Sequence, residues 1–218
     1  MEATVDLLHT TFVTHDTRQF ITTRPEGIDL EPGQGVELAL DEDGWRDEGR
    51  PFTPTSPNTN DVLEFVIKAY PERDAVTARL HALEPGARLH VSKPFGSLKW
   101  AGPGTFIAAG AGITPFLAMI REQRAKDALG DSALHFSNST PADIICEREL
   151  IEAFGDACHL TCTTDHAPAY DHRHIDRAYL EEEIDDFTGR FYICGPEDFV
   201  RETREALIDL GADPESII

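Results

Sequence analysis

The stretch GTFIAAGAGITPFLAM, residues 104–119, decides the fold. Phe106, Ile107, Ala108 and Ala109 make a short apolar run of the kind that is buried as a strand. Gly110, Ala111 and Gly112 then turn the chain, and Thr114 and Pro115 open a helix. Pro115 suits the first helical position because the N–H it lacks has no intrahelical partner there. Glycines let the main chain approach a pyrophosphate closely, while the free N–H groups and positive dipole end of the following helix attract the anion. The pattern is GxGxxP, with proline where the usual dinucleotide fingerprint has its third glycine. By itself it supports either a dinucleotide phosphate site or a purely structural tight turn.

Outward from that turn the chain divides into two rhythms. Downstream, expected strands at 105–109, 133–137, 159–163 and 191–194 alternate with expected helices at 113–126, 144–154, 176–184 and 197–210. Such alternation predicts a parallel sheet with crossover helices. Upstream, β-branched-rich runs at 5–13, 19–23, 35–40, 62–69 and 88–91 are parted by turn clusters, which predicts an antiparallel barrel or sandwich. One helix, over 75–83, interrupts them with Val76, Leu80 and Leu83 on one face. Glycine and proline cluster in KPFGSLKWAGP, 93–103, so we expect one domain over 1–98 and a second over 99–218. The acidic stretch DEDGWRDEGR, 41–50, reads as a solvated loop.

The 218 residues hold 40 Asp and Glu against 19 Lys and Arg, a formal charge of −21. That surface repels nucleic acid and anionic membrane, so neither is expected as a partner. Only Lys68, Lys93, Lys99 and Lys126 are lysines, a composition that fits either a protein working in high salt or an ordinary acidic one. The four cysteines, at 146, 158, 162 and 194, lack the paired spacing of a zinc or iron–sulfur site, and His159, His166, His172 and His174 show no ligand pattern, so no metal is expected. The acidic start MEATVDLL is unlike a secretory signal, and the longest apolar stretch, 106–120, is broken by Gly110, Gly112 and Pro115; a cytoplasmic location is expected.

Three separated motifs, in order, resemble the ferredoxin-NADP(H) reductase family, especially the small bacterial flavodoxin and ferredoxin reductases. RPFTPTS, 50–56, is similar to the family's RxYS or RxYT signature. The resemblance implies that Arg50 and Pro51 begin the flavin site, with the Arg50 guanidinium on the flavin phosphates, Phe52 against the isoalloxazine in place of the usual tyrosine, and the Thr53 hydroxyl at flavin N5. The second motif follows the strand ending at Lys68, Ala69 and Tyr70. There the family's GxxS or GxxT loop corresponds to Asp74, Ala75, Val76 and Thr77, which keeps the threonine and loses the glycine. It implies Lys68, Tyr70, Val76 and Thr77 around the flavin diphosphate and adenine. The third, Cys194, Gly195 and Pro196, is similar to the family's CGP motif and implies a thiol beside the nicotinamide. With it go Gly110, Gly112, Ile113, Thr114 and Pro115 for the pyrophosphate, and Ser137 and Asn138 for the adenosine ribose.

The resemblance implies an antiparallel Greek-key flavin-binding β-barrel followed by a five-stranded parallel nucleotide-binding α/β sheet with helices on both faces. It further implies FAD as cofactor, NADPH or NADH as substrate, and hydride transfer to the flavin followed by single-electron transfer to flavodoxin or ferredoxin. Thr53 and Cys194 are then the catalytic residues, acting by position. Other readings are a reductase component for an oxygenase, a siderophore or free-flavin reductase, and a non-catalytic electron-relay subunit. Arg46, Arg73, Lys93 and Lys99 are candidates for a local basic patch that receives an acidic acceptor.

Overall fold

A computed structural model describes residues 3–72, 75–96, 98–165 and 167–218. Arg73, Asp74 and His166, named above, lie outside the described residues. The chain forms two compact units: residues up to 100 together with 114–122, and 101–113 together with 123–218.

The first unit is built on β1 (Ala3–Phe12), β2 (Thr17–Thr23), β3 (Val36–Leu40), β4 (Arg50–Phe52), β5 (Val62–Lys68) and β6 (Arg88–Val91). They form one six-stranded antiparallel sheet in the order β4-β3-β6-β1-β2-β5, a Greek-key arrangement. The period-two pattern sets which side chains point inward. Val5 and Leu7 of β1, Leu63, Phe65 and Ile67 of β5, and Leu89 and Val91 of β6 are all buried. Helix α1 (Ala75–His81) adds Val76 and Leu80 to the same core. Removing one large member, as in Phe65→Ala, costs about 3–5 kcal/mol through lost burial and the cavity left behind. Strands β4 and β5 occupy the two ends of the sheet order. The barrel is nearly closed there by the segment after β4, where the Thr55 N–H donates to the Glu64 carbonyl at 2.7 Å and the Glu64 N–H donates to Ser56 Oγ at 3.1 Å.

The second unit carries β7 (Thr105–Ala109), β8 (Ala133–Asn138), β9 (Cys158–Cys162) and β10 (Phe191–Cys194), all parallel, in the order β10-β7-β8-β9. Helices α3 (Glu147–Phe154), α4 (Arg177–Glu183) and α5 (Glu197–Asp209) serve this sheet, and α2 (Thr114–Ala125) follows β7. Alternate strand residues face opposite layers. Phe106 stacks on Tyr192 at 4.6 Å and meets Phe154 of α3, whereas Ile107, Phe191 and Ile193 pack with Tyr179 and Leu180 of α4 and Leu207 of α5.

Among the described residues the sheet has four strands, which corrects the expected five. Beside β10 the next position is held only by Ile217 and Ile218, through the bridge Phe191↔Ile217 and the bonds Ile193 N to Ile218 O and Ile218 N to Phe191 O. Beside β9 a single bridge joins Thr161 to Asp171. Both contacts blunt an edge without building a strand.

Candidate active site

The strand order reverses at β7: the chain runs outward through β8 and β9, then returns to place β10 on the other side of β7. Clefts at the carboxyl ends of strands beside such a reversal are where open α/β sheets bind ligands. The GAGITP and CGP segments lie at these ends. After β7 the residues Gly110–Ile113 make one 3-10 turn, with Gly110 left-handed at φ +52° and Ile113 fully buried as its anchor.

Backbone crowding fixes the residue types here. A Cβ on Gly112 would lie 2.3 Å from the Cys194 carbonyl oxygen and 2.7 Å from Gly195 Cα. A Cβ on Gly195 would lie 2.8 Å from the Phe199 ring and 3.2 Å from Ala109 Cβ. The two turns thus interlock through glycines, and a Cβ on Gly110, by contrast, would meet nothing within 4 Å. The thiol of Cys194 is half-buried at the end of β10; burial pushes its pKa up, partly offset by the Gly195 N–H. It is a neutral thiol at physiological pH, a steric and hydrogen-bonding group and not an ionised nucleophile. Pro196 caps α5, its carbonyl accepting from the Val200 N–H at 3.0 Å. Thr114 and Pro115, both half-buried, begin α2.

One strand over, Ser137 is half-buried level with Ala109. Asn138 is buried, and its Oδ1 has no hydrogen-bond partner among the described residues, while Nδ2 donates to the Phe136 carbonyl at 3.3 Å. The neighbouring loops are acidic. Thr140 is tied to Asp143 by its N–H and hydroxyl, and the Tyr170 hydroxyl donates to Glu147 at 2.6 Å. The buried Cys162 thiol is pushed up to about 11, first by burial and then by Asp165, Glu147 and Asp143. Arg173 is engaged by Asp171, Glu182 and Glu183, and Arg148 lies 3.7 Å from Glu152.

In the barrel unit, β4 pairs with β3 so that Arg50 stands opposite Leu38, Pro51 opposite Glu37 and Phe52 opposite Val36. Phe52 is partly buried against the barrel core, and Pro51 is exposed. The Arg50 guanidinium is 40% exposed, donates to the Gly49 carbonyl at 3.0 Å and lies 3.9 Å from Glu48. Thr53 is half-buried with no hydroxyl hydrogen bond among the described residues.

The residues of the second motif are brought together and make bonds within the barrel unit. Lys68 pairs with Asp16 at 2.9 Å. Burial opposes ionisation of Asp16, yet its bonds from Lys68, Thr14 and Thr17 outweigh that and hold the carboxyl below its usual range. The Thr77 hydroxyl accepts from the Tyr70 N–H at 3.1 Å, with Thr77 and Val76 both buried and the Tyr70 side chain exposed. Of the proposed basic patch, Arg46 is engaged by Asp41 and Asp43, while Lys93 and Lys99 are exposed.

Two clusters escape a reading of the sequence. Glu64 on β5 accepts from Thr55 Oγ1 at 2.6 Å and from Arg121 of α2 at 2.5 Å, a group scattered over 66 positions with no local signature. His135, buried on β8, stacks on His159 at 4.6 Å and pairs through Nδ1 with the Tyr179 hydroxyl at 3.0 Å. Its alternation with apolar neighbours is the signal for a core position, and burial lowers its pKa to about 3.

These arrangements fit the two groups that the motifs imply. Gly110 leaves open space at the turn, and Asn138 holds a buried acceptor that a bound hydroxyl would satisfy. Thr53 has no hydroxyl hydrogen bond among the described residues and directly follows Phe52 of β4 in the chain.

Comparison with known proteins agrees. Residues 4–100 match the family model described as oxidoreductase FAD-binding domain, and 106–205 match the one described as oxidoreductase NAD-binding domain. The chain is similar to NADH-cytochrome b5 reductase 2 of Mycosarcoma maydis, with 31% identity over 151 residues, covering 62% of this chain and 42% of that protein. It is also similar to the flavodoxin/ferredoxin–NADP reductase of Rhodobacter capsulatus, with 29% identity over 140 residues, covering 62% of this chain and 52% of that protein. It spans about half the length of these curated relatives. Among solved structures, the CS-b5R domains of human Ncb5or in the NAD+ form superpose with a TM-score of 0.87 at 28% identity, covering 99% of this chain and 68% of that one.

Proposed function

Because the chain belongs to the ferredoxin-NADP(H) reductase family, with an FAD-binding domain followed by an NAD-binding domain, we propose that it is a nicotinamide-dependent flavoprotein reductase that serves a protein electron acceptor. When bound, FAD would supply a ring able to accept hydride from a reduced nicotinamide and to release electrons singly. The chain's own residues orient and exclude. Arg50 sets a fixed positive charge for the flavin phosphates, Phe52 packs on the ring system, and Thr53 offers its hydroxyl at N5. With Lys68 held by Asp16 and Thr77 by Tyr70, the diphosphate falls to main-chain N–H groups at the start of α1 and to the exposed Tyr70.

At the sheet, residues 110–115 cradle the nucleotide phosphates and Cys194, Gly195 and Pro196 set the nicotinamide depth. Ser137 and Asn138 serve the ribose. The observation that supports this reading is the interlock of Gly112 with the main chain of Cys194 and Gly195, which brings the two motif turns together at the carboxyl ends of the strands.

The same surroundings favour NADH over NADPH. Burial and, after it, Asp165, Glu147 and Asp143 raise the Cys162 pKa, and Arg148 and Arg173 are drawn to acidic partners, so a 2′-phosphate would meet these carboxylates where a ribose hydroxyl would find Asn138 Oδ1. For the acceptor we keep flavodoxin or ferredoxin. Both partners being acidic, docking strengthens as salt shortens the Debye length to about 3 Å near 1 M.

Anaerobic mixing of the FAD-reconstituted protein with NADH tests the reading. Flavin absorbance is expected to bleach, with NADPH at least about tenfold less efficient, a difference of about 1.4 kcal/mol. Bleaching by neither nucleotide overturns it in favour of an electron-relay subunit. Reoxidation by cytochrome b5 or an oxygenase component, but not by flavodoxin or ferredoxin, overturns the acceptor alone.

A further inference from the structure

We propose that Arg121, acting with Glu64, is a positioning residue for Thr53; the assignment rests on the reductase reading of that threonine. Thr53 lies at the barrel's weakest point, since β4 and β5 end the sheet order and no ladder joins them. Two residues on, the chain is fastened. Thr55 donates from its N–H to the Glu64 carbonyl at 2.7 Å and from Oγ1 to Glu64 Oε1 at 2.6 Å, and Ser56 Oγ accepts from the Glu64 N–H. Arg121 closes the arrangement: its Nη1 donates to the Thr55 carbonyl at 2.8 Å and to Glu64 Oε1 at 2.5 Å. The two charged side chains are only 19% and 17% exposed, and Thr55 is fully buried.

The arm that carries Arg121 is rigid. Phe116, Leu117, Ala118, Met119 and Ile120 of α2 are all buried. Met119 seats against Gly33, where a Cβ would come 2.3 Å from its methyl carbon, and where φ of +99° already requires glycine. The link from clamp to hydroxyl is short. Pro54 has a fixed φ and restricts the residue before it to extended conformations, so with Thr55 held, little backbone freedom remains at Thr53. A β-branched side chain adds few rotamers to choose from. The hydroxyl direction at Thr53 is therefore set largely by where Arg121 and Glu64 hold Thr55. A planar guanidinium meets both acceptors at once, which an ammonium does less well.

The test compares Arg121→Met, Arg121→Lys and Thr55→Val with the unaltered protein by three readouts. In the FAD-free protein, amide exchange at Thr53 and Thr55 is expected to rise about tenfold or more in Arg121→Met, with β2 and β5 unchanged. Titration of apoprotein with FAD is expected to give a dissociation constant within about threefold of the unaltered protein, while the limiting rate of flavin reduction by NADH falls about tenfold. Arg121→Lys is expected to fall between. In a Thr53→Ala background the same Arg121→Met change is expected to slow reduction by less than about twofold, because the two act on one step.

Unchanged exchange at Thr53 and Thr55 overturns the proposal. So does an equal slowing in the Thr53→Ala background, or a loss of FAD affinity that matches the loss of rate. Should Arg121→Met not fold, Thr55→Val and Arg121→Lys carry the same comparisons. Should the unaltered protein not bleach with any nicotinamide, the reductase reading falls, while exchange and FAD titration still judge the clamp.

Discussion

The glycine turns at the strand ends of the sheet and the loop after β5 in the barrel were both marked by motif, and they differ in what dictates their residues. At Gly112 main chain presses on main chain, 2.3–2.7 Å from any added Cβ, and at Gly195 the Phe199 ring lies 2.8 Å from that position, so close approach selects glycine at both. At the end of β5 and in α1, Lys68 and Thr77 are polar groups engaged by Asp16 and by the Tyr70 N–H. A glycine demanded by close approach reports geometry directly. A polar residue in the right place reports only that some partner exists.

Substitutions at the two regions test that difference. Gly112→Ala should have the largest effect, lowering stability by about 3 kcal/mol through overpacking and abolishing most nicotinamide-driven bleaching. Denaturant unfolding and anaerobic mixing measure the two losses. Next comes His135, whose neighbours in the sheet unit forbid its charge. Its folded pKa, lowered to about 3, lies below the unfolded value of 6.5, so stability is lost as pH falls from 6.5 towards 3. At pH 5 the loss is about 2 kcal/mol, and His135→Leu should flatten that part of the stability–pH profile. Gly110→Ala should cost only about 1 kcal/mol, the price of a left-handed φ without a clash, which separates conformational need from close approach at two positions of one turn.

Lys68→Met should be the mildest. It removes the ion pair with Asp16, costing about 1 kcal/mol, and should change FAD affinity by less than about threefold. The Asp16 carboxyl is held low in the folded protein, so the pair's contribution is present above the unfolded carboxylate pKa and vanishes as pH falls through the folded value. A tenfold or greater drop in FAD affinity would erase the contrast and restore Lys68 to the diphosphate.

The architecture is legible wherever local pattern and burial agree. The apolar run at β7, the period-two alternation of β5 and the helical spacing of Val76 and Leu80 each bury the face their spacing marks. Legibility fails where the determinant is distant or local geometry overrides the period. Glu64 and Arg121 are 57 residues apart, and neither is unusual in its own neighbourhood. Ile144 and Ile145 extend the apolar pattern of α3, yet Cys146 takes a left-handed φ of +55° and the helix starts after it. The fifth strand is an expectation from resemblance, and among the described residues Ile217 and Ile218 meet β10 through one bridge and two hydrogen bonds, not a ladder.

On the proposed reading this chain would position reacting rings and move no proton in the hydride step: burial raises the pKa of the Cys194 thiol and keeps it neutral, and a threonine hydroxyl does not titrate in the working range. The rate of flavin bleaching at saturating NADH, followed anaerobically from about pH 6 to about pH 9, tests that most directly. A rate flat across the range is expected. A rate that steps or bells with pH, and loses that shape in Cys194→Ala, would contradict it.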